Sequence, residues 1–160
     1  MIDIAKNLYP KGDFSIYDGK NLKFKENQFD LVFSIGVIHH LPHWMKMIVQ
    51  MVKFSSSFTI FDLRLTKEKT LNNPEKFYQE VKFDKNDHSN ISIPYVVINL
   101  DELKSFFIQN FDSEKFRIES FGYLSKPTYL ANIPYEKIFM CCFKIEKNSL
   151  NPGIFIDFPD

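Results

Sequence analysis

The stretch FDLVFSIGVIHHLPHW, residues 29–44, carries the strongest information on the fold of this chain. Its LVFSI segment is a continuous run of apolar residues, mostly β-branched or aromatic, which is typical of a parallel strand covered on both faces. The spacing of apolar residues in WMKMIVQMVKF (44–54) predicts a helix that faces the core. A second apolar strand is predicted in SFTIFDLRL (57–65). Strand, helix and strand together have the size of a βαβ unit and indicate an α/β fold.

A crossover of this kind is right-handed and places a ligand site at the carboxyl ends of its strands. In this sequence those ends fall near Ser34–His40 and near Asp62–Arg64. The pattern therefore predicts where a functional site lies before it indicates any chemistry.

The flanking residues extend the predicted fold. IDIAKNLYP at the start predicts the last turns of a helix that Pro10 stops, because proline cannot continue the hydrogen-bond ladder. DFSIY (13–17) alternates like a short strand and ends at a turn, Asp18-Gly19. Further along, Asn99 and Glu102 resemble a capping box for a helix over 100–110.

Two later segments, FRIESFGYL and KIFMCCFKIE, predict an antiparallel strand pair that ends the sheet. The expected architecture is α/β and Rossmann-like, a mostly parallel sheet with a C-terminal antiparallel strand pair. We expect one domain over residues 1–147, in which the polar residues 66–95 form an insertion or lid. Residues 148–160 form a C-terminal tail that either docks on the body or frays.

Composition narrows the functional classes. Twenty basic residues balance 20 acidic ones, and only Arg64 and Arg117 are arginines, which disfavours a nucleic-acid reader or an anionic membrane surface. No apolar run reaches the 18 residues or so of a membrane helix, and the first residues lack a signal-peptide pattern, so we expect a cytoplasmic protein. Cys141 and Cys142 are adjacent, so a strand would point their thiols to opposite faces rather than into a disulfide.

Taken in order, these segments resemble the class I S-adenosylmethionine-dependent methyltransferase family, particularly its small-molecule methyltransferases. The resemblance is carried by the helix MIDIAKNLYP, by a strand that ends in Asp18-Gly19 with Leu22 and Phe24 after it, and above all by FDLVFSIGVIHHLPHW. It runs from residue 1 to about residue 146 and excludes the insertion and the tail. It implies S-adenosylmethionine as the cofactor, a small-molecule methyl acceptor as the partner and methyl transfer as the reaction.

The resemblance also implies cofactor contacts. Asp18 corresponds to the acid that meets the adenine amino group, with Gly19 and Leu22 beside the ring. The segment that passes the methionine part of the cofactor corresponds to Ser34, Ile35, Gly36 and Val37. The residues alone leave two plainer interpretations open, since Asp18 is also suited to form a turn before Gly19 and Gly36 to end a strand.

The same resemblance places His39 and His40 toward the acceptor, as candidate catalytic residues. A histidine at this position is suited to take a proton from the nucleophile. A packing and hydrogen-bonding role for the pair is the alternative. With His43 the pair also suggests a metal-dependent hydrolase, but HHLPH is not the HExxH helix and Pro42 interrupts it, so no metal ligand is predicted.

One departure from the family stands out. The glycine-rich turn after the first strand and the acidic residue that holds the ribose are both missing, since the five glycines are never closer than seven residues apart. We therefore expect a truncated and by itself inactive form, a fragment that lacks an upstream extension of about 50 to 80 residues. A non-catalytic remnant or binding module of methyltransferase fold is the alternative.

Overall fold

The computed structural model describes residues 2–16, 24–82 and 91–156. The helical elements in these ranges are α1 (Ile2–Leu8), a 3₁₀ turn (Ile38–His40), α2 (Trp44–Phe54) and α3 (Leu100–Asn110). The strands are β1 (Phe29–Ser34), β2 (Ser55–Thr66), β3 (Tyr78–Val81), β4 (Ile91–Pro94), β5 (Ile98–Asn99), β6 (Phe116–Ser125), β7 (Ala131–Asn132), β8 (Ile138–Lys147) and β9 (Gly153–Phe155).

The strands form two sheets. The larger sheet has the order β1-β2-β8-β6-β9, with β5 paired to β2. Three of its five pairings in the described ranges are parallel, namely β1 with β2, β2 with β5 and β6 with β9, and β8 is antiparallel to both neighbours. The smaller sheet, in the order β4-β3-β7, is antiparallel. The predicted α/β class, with its mostly parallel sheet and C-terminal antiparallel pair, is confirmed.

Most of the predicted elements are present. The opening helix ends at Leu8, and the chain turns at Pro10 as predicted. The predicted capping of α3 is also found, because the side chain of Asn99 accepts hydrogen bonds from the backbone N–H groups of Asp101 and Glu102. Glu102 does not return the bond directly. Instead the Thr70 hydroxyl donates to Glu102 and accepts from the Asn99 N–H, which ties the start of the 66–95 segment to this helix.

One predicted strand is absent, and another is present but less buried than predicted. Residues 13–16 form no strand, and the last residue of the predicted segment, Tyr17, lies outside the described residues. Within the described ranges no neighbouring strand is present to take its backbone hydrogen bonds. Segment 31–35 does lie largely in β1, but this strand is not covered on both faces, since Phe33 is 68% exposed. The reason is that no helix of the described ranges packs on the face of the sheet that carries Phe33. Strand β1 is also an edge strand, paired with β2 alone among the described strands.

The tail also extends the sheet beyond its predicted end. Strand β9 runs parallel to β6, and the guanidinium of Arg117 holds it by a 2.9 Å bond to the carbonyl of Asn151 and a 4.4 Å contact with the ring of Phe155. Residues 148–156 therefore dock on the body. The tail's last residues, 157–160, lie outside the described part of the chain.

The main core lies between one face of the larger sheet and the two helices α2 and α3. Trp44 of α2 meets Phe106 of α3 with ring centroids 5.1 Å apart, and Phe61 of β2 stacks on Phe143 of β8 at 5.4 Å. Trp44 is 1% exposed, so the prediction that helix α2 faces the core is confirmed. Burial of these large side chains is the main stabilising contribution to such a fold.

No helix of the described ranges covers the opposite face of the larger sheet. The pairing register places on this open face Leu31, Phe33, Phe58, Phe121 and Cys142. Helix α1 does not shield it, since α1 has no buried residue. As predicted, Cys141 points into the core and Cys142 is exposed. None of the described helices is long and apolar enough to span a membrane.

Candidate active site

The candidate site is built where β1 ends and the longer β2 continues. Gly36 stands in the connection after β1 with φ +74°, a backbone conformation that favours glycine. Its N–H donates a 2.8 Å hydrogen bond to Oδ1 of Asp62 on the neighbouring strand. A Cβ at Gly36 would meet nothing within 4 Å, so space beside this turn is open. The turn is therefore fixed from the strand side and accessible on its other side.

His39 faces the same carboxylate. Its Nδ1 lies 3.3 Å from Oδ2 of Asp62, within ion-pair distance but outside hydrogen-bond geometry. Burial raises the pKa of Asp62, but the adjacent His39 ring and the Gly36 N–H outweigh it and hold that pKa below its usual value. Asp62 is thus an ionised carboxylate that faces a buried imidazole ring and a backbone N–H.

Arg64, two residues further along β2, contacts both histidines. Its guanidinium is buried, donates from Nη1 to the carbonyl of His39 at 3.2 Å, and places Nη2 3.5 Å from Nε2 of His40. The ring of Tyr95 covers the guanidinium, with the Arg64 Cζ 3.7 Å from the ring centroid. Burial lowers the pKa of Arg64 and raises that of Tyr95, while each group partly offsets the shift of the other.

His40 has a partner for each of its ring nitrogens. Nδ1 lies 2.7 Å from the carbonyl oxygen of Pro94, at the end of β4. Nε2 faces Arg64. Burial, aided by the positive charge of Arg64 and opposed by the bond to Pro94, lowers the pKa of His40 to about 4. The ring is therefore neutral at pH 7.

The predicted cofactor residues divide into two groups. Asp18, Gly19 and Leu22 lie outside the described residues. Ser34 is the last residue of β1, and the exposed side chains of Ile35 and Val37 flank Gly36. Ser34–Val37 thus form one accessible wall at the carboxyl end of the strand, and their contact with the cofactor stays a prediction.

The residues at hand fit S-adenosylmethionine only in part. The wall at Ser34–Val37 has the open space and the exposed backbone that a ligand needs. The sequence holds no G-x-G turn, and the free edge of β1 shows that no strand of the described ranges stands beside this wall. These residues therefore do not by themselves enclose the ribose and adenine.

Asp62 and Arg64 were not among the residues predicted for the site, although the strand end that holds them was. The signal that could have found them is a pair of charged residues two positions apart in an apolar strand, since this spacing puts both on one face. Tyr95 carries no such signal. It is the last residue of the polar segment 66–95, and it reaches the site only through tertiary packing.

The two histidine rings also contact each other. The rings of His39 and His40 meet edge to face, with centroids 4.5 Å apart. Within residues 2–16, 24–82 and 91–156 no group of three or more His, Cys, Asp or Glu side chains is arranged to hold a metal ion.

Tyr95 also links the site to the loop after β6. The backbone of Thr128 lies close enough to the Tyr95 hydroxyl to lower its pKa against the effect of burial. Thr128 in turn helps to line a surface cavity of about 490 Å³. The other lining residues belong to the same loop, to β7 and to the connection between β7 and β8, among them Lys126, Tyr129, Tyr135 and Glu136.

Comparison with known proteins identifies the proteins that this chain resembles. A family model described as a methyltransferase domain matches residues 1–57. A search of curated proteins finds no significant match. Among solved structures the chain is similar to a SAM-dependent methyltransferase from Methanosarcina mazei, with 12% identity and a TM-score of 0.55 over 91% of this chain and 76% of that one.

A second similar structure is a SAM-dependent methyltransferase from Thermotoga maritima, described as a possible histamine N-methyltransferase. It is 17% identical, with a TM-score of 0.46 over 91% of this chain and 69% of that one. At 12% identity the Methanosarcina structure establishes the fold. The matched segment and the shared fold together confirm the predicted resemblance to the class I S-adenosylmethionine-dependent methyltransferases, whose cofactor is S-adenosylmethionine.

Proposed function

We propose that this chain serves S-adenosylmethionine-dependent methyl transfer to a small-molecule acceptor in the cytoplasm, and that its 160 residues do not catalyse the reaction alone. Residues 1–147 act as a partial methyltransferase domain, in which the polar insertion at 66–95 covers the acceptor. In this proposal Asp18, Gly19 and Leu22 contact the adenine end of the cofactor, and Ser34, Ile35, Gly36 and Val37 its methionine end.

The observation that carries the proposal is the Gly36–Asp62 bond. It fixes an accessible turn at the carboxyl end of a parallel strand, the position at which α/β folds bind ligands. His39 and His40 follow this turn in the chain, in the 3₁₀ turn Ile38–His40. His39 and His40 therefore serve the acceptor side of the site, as proton-handling or positioning groups.

The proposed inactivity has its own support. The absent G-x-G turn and the uncovered edge of β1 leave the cofactor without a second wall in the described part of the chain. Calorimetry of the 160-residue chain with S-adenosylmethionine tests this directly. We expect no saturable binding in the micromolar range, and micromolar binding would show that the chain forms a competent cofactor site without help.

A chimera tests the methyltransferase assignment itself. A glycine-rich strand–turn–helix unit from an S-adenosylmethionine-dependent methyltransferase is fused before Met1, and binding is measured again. Micromolar binding that Gly36→Val weakens supports the assignment, since a valine side chain at φ +74° would distort the turn. A folded chimera that binds no S-adenosylmethionine contradicts it.

A non-catalytic binding module is the second candidate function, and the open edge of β1 favours it. Unpaired backbone groups and exposed apolar side chains on an edge strand form a surface that can pair with another polypeptide. A single stable partner that protects the amide protons of β1 from exchange, with no cofactor bound in the complex, would support this function over methyl transfer.

A further inference from the structure

A single guanidinium spans the two histidines. Arg64 contacts the backbone of His39 through Nη1 and the ring of His40 through Nη2, while Tyr95 covers its face. Arg64 is only 7% exposed, so its side chain is held by packing as well as by these polar contacts. Its position is therefore coupled to that of the whole 3₁₀ turn.

The partners of His40 determine where its proton lies. The carbonyl of Pro94 can only accept a hydrogen bond, so the Nδ1 that lies 2.7 Å from it must carry the hydrogen. Arginine can only donate, so the Nε2 that faces it must be the unprotonated nitrogen. These contacts together select the neutral Nδ1–H tautomer and leave the ring no free nitrogen.

His39 differs from its neighbour. Its Nδ1 faces the carboxylate of Asp62 at 3.3 Å and makes no hydrogen bond of good geometry there. The two rings therefore face groups of opposite charge, the Asp62 carboxylate for His39 and the Arg64 guanidinium for His40.

We propose that Arg64 is a positioning residue that, together with the carbonyl of Pro94, locks His40 as the neutral Nδ1–H tautomer. The significance of this lock for methyl transfer rests on the proposed function. Among the described residues, the charged and titratable groups that act on His40 are Arg64 and Asp62 from β2 and His39 from its own turn, while Tyr95, from the segment after β4, faces Arg64.

Two-bond ¹H–¹⁵N spectra of the histidine rings test the proposal on the chain as it stands, with His40→Gln used to assign the signals. We expect His40 to show the Nδ1–H tautomer, which is the less common form of a free neutral histidine, and no titration between pH 5.5 and 8. In Arg64→Met we expect the bond to Pro94 to keep the hydrogen on Nδ1 and the His40 pKa to rise, because Nε2 no longer faces a positive charge. Arg64→Lys should reverse part of this rise.

Arg117→Met is the matched control, because it removes the other arginine, two strands away from β2 in the same sheet, and should leave the His40 signals unchanged. An Nε2–H tautomer, or titration near pH 6.5 in the unaltered chain, would overturn the proposal even if the Arg64 variants do not fold. Unchanged His40 signals in a folded Arg64→Met would overturn it as well. No cofactor or acceptor is present in these spectra, so failure here is distinct from failure of the proposed function.

Discussion

The backbone N–H of Gly36 and the carboxylate of Asp62 are joined by a 2.8 Å hydrogen bond across two neighbouring strands. The bond links the turn after β1 to the interior of β2. Since the same carboxylate faces the ring of His39, one side chain sets the position of both the turn and the histidine.

Asp62→Ala should therefore destabilise the chain. Removing an acceptor from a bond to a charged group typically costs about 1 to 3 kcal/mol. Asp62→Asn keeps an oxygen for the Gly36 N–H and should lose less. Urea denaturation measures both, and equal stability of Asp62→Ala and the unaltered chain would show that the bond contributes nothing.

Substitution of Gly36 should lower the stability of the chain through backbone strain alone. Space around its Cα is open, so Gly36→Ala creates no clash, but φ +74° should still cost about 1 to 2 kcal/mol. Gly36→Asn should cost less, because asparagine tolerates left-handed backbone. Similar losses for the two variants in thermal denaturation would contradict this account.

The depressed pKa of His40 predicts a pH dependence of stability. Below pH 6.5 the unfolded chain binds a proton at this residue, whereas the folded chain does not until pH falls to about 4. Stability should therefore fall between pH 6.5 and 4, and His40→Gln should show a shallower fall in urea denaturation. The exposed His43 supplies the control, since His43→Gln should keep the slope of the unaltered chain.

The exposed apolar face of β1 and its unpaired edge together predict concentration-dependent self-association of the chain. Phe33 is 68% exposed on an edge strand whose only charged side chain is Asp30, so little opposes edge pairing. Phe33→Lys should shift the weight-average mass in sedimentation toward the monomer. Ile108→Lys, at a site 69% exposed on α3, should not, and equal effects of the two changes would refute a role for β1.

Most helices and strands could be predicted from the sequence, because elements such as α2 and β2 show local patterns that depend on few neighbours. The exposure of one face of β1 could not be predicted. An apolar run predicts burial only if other elements supply the cover, and the run itself does not say whether they are present. Residues 13–16 show the same limit, since alternation alone does not form a strand.

The candidate site follows the same division. The general rule for α/β strands predicted its location, and the resemblance supplied the segment Ser34–Val37 and the histidine pair. The contact of Arg64 with Tyr95 depends on tertiary packing between β2 and the residue that follows β4, and no local pattern encodes that packing. Roles for His39 and His40 stay predictions.

The place of β8 in the larger sheet has a consequence for biosynthesis. This strand lies between β2 and β6, yet it is made after both of them. Until residue 147 has left the ribosome, each of those strands presents to the cell an unpaired edge that β8 will later occupy. The nascent chain therefore depends on its last quarter to complete the sheet, and ribosome-bound intermediates shorter than this should be the species that chaperones recognise.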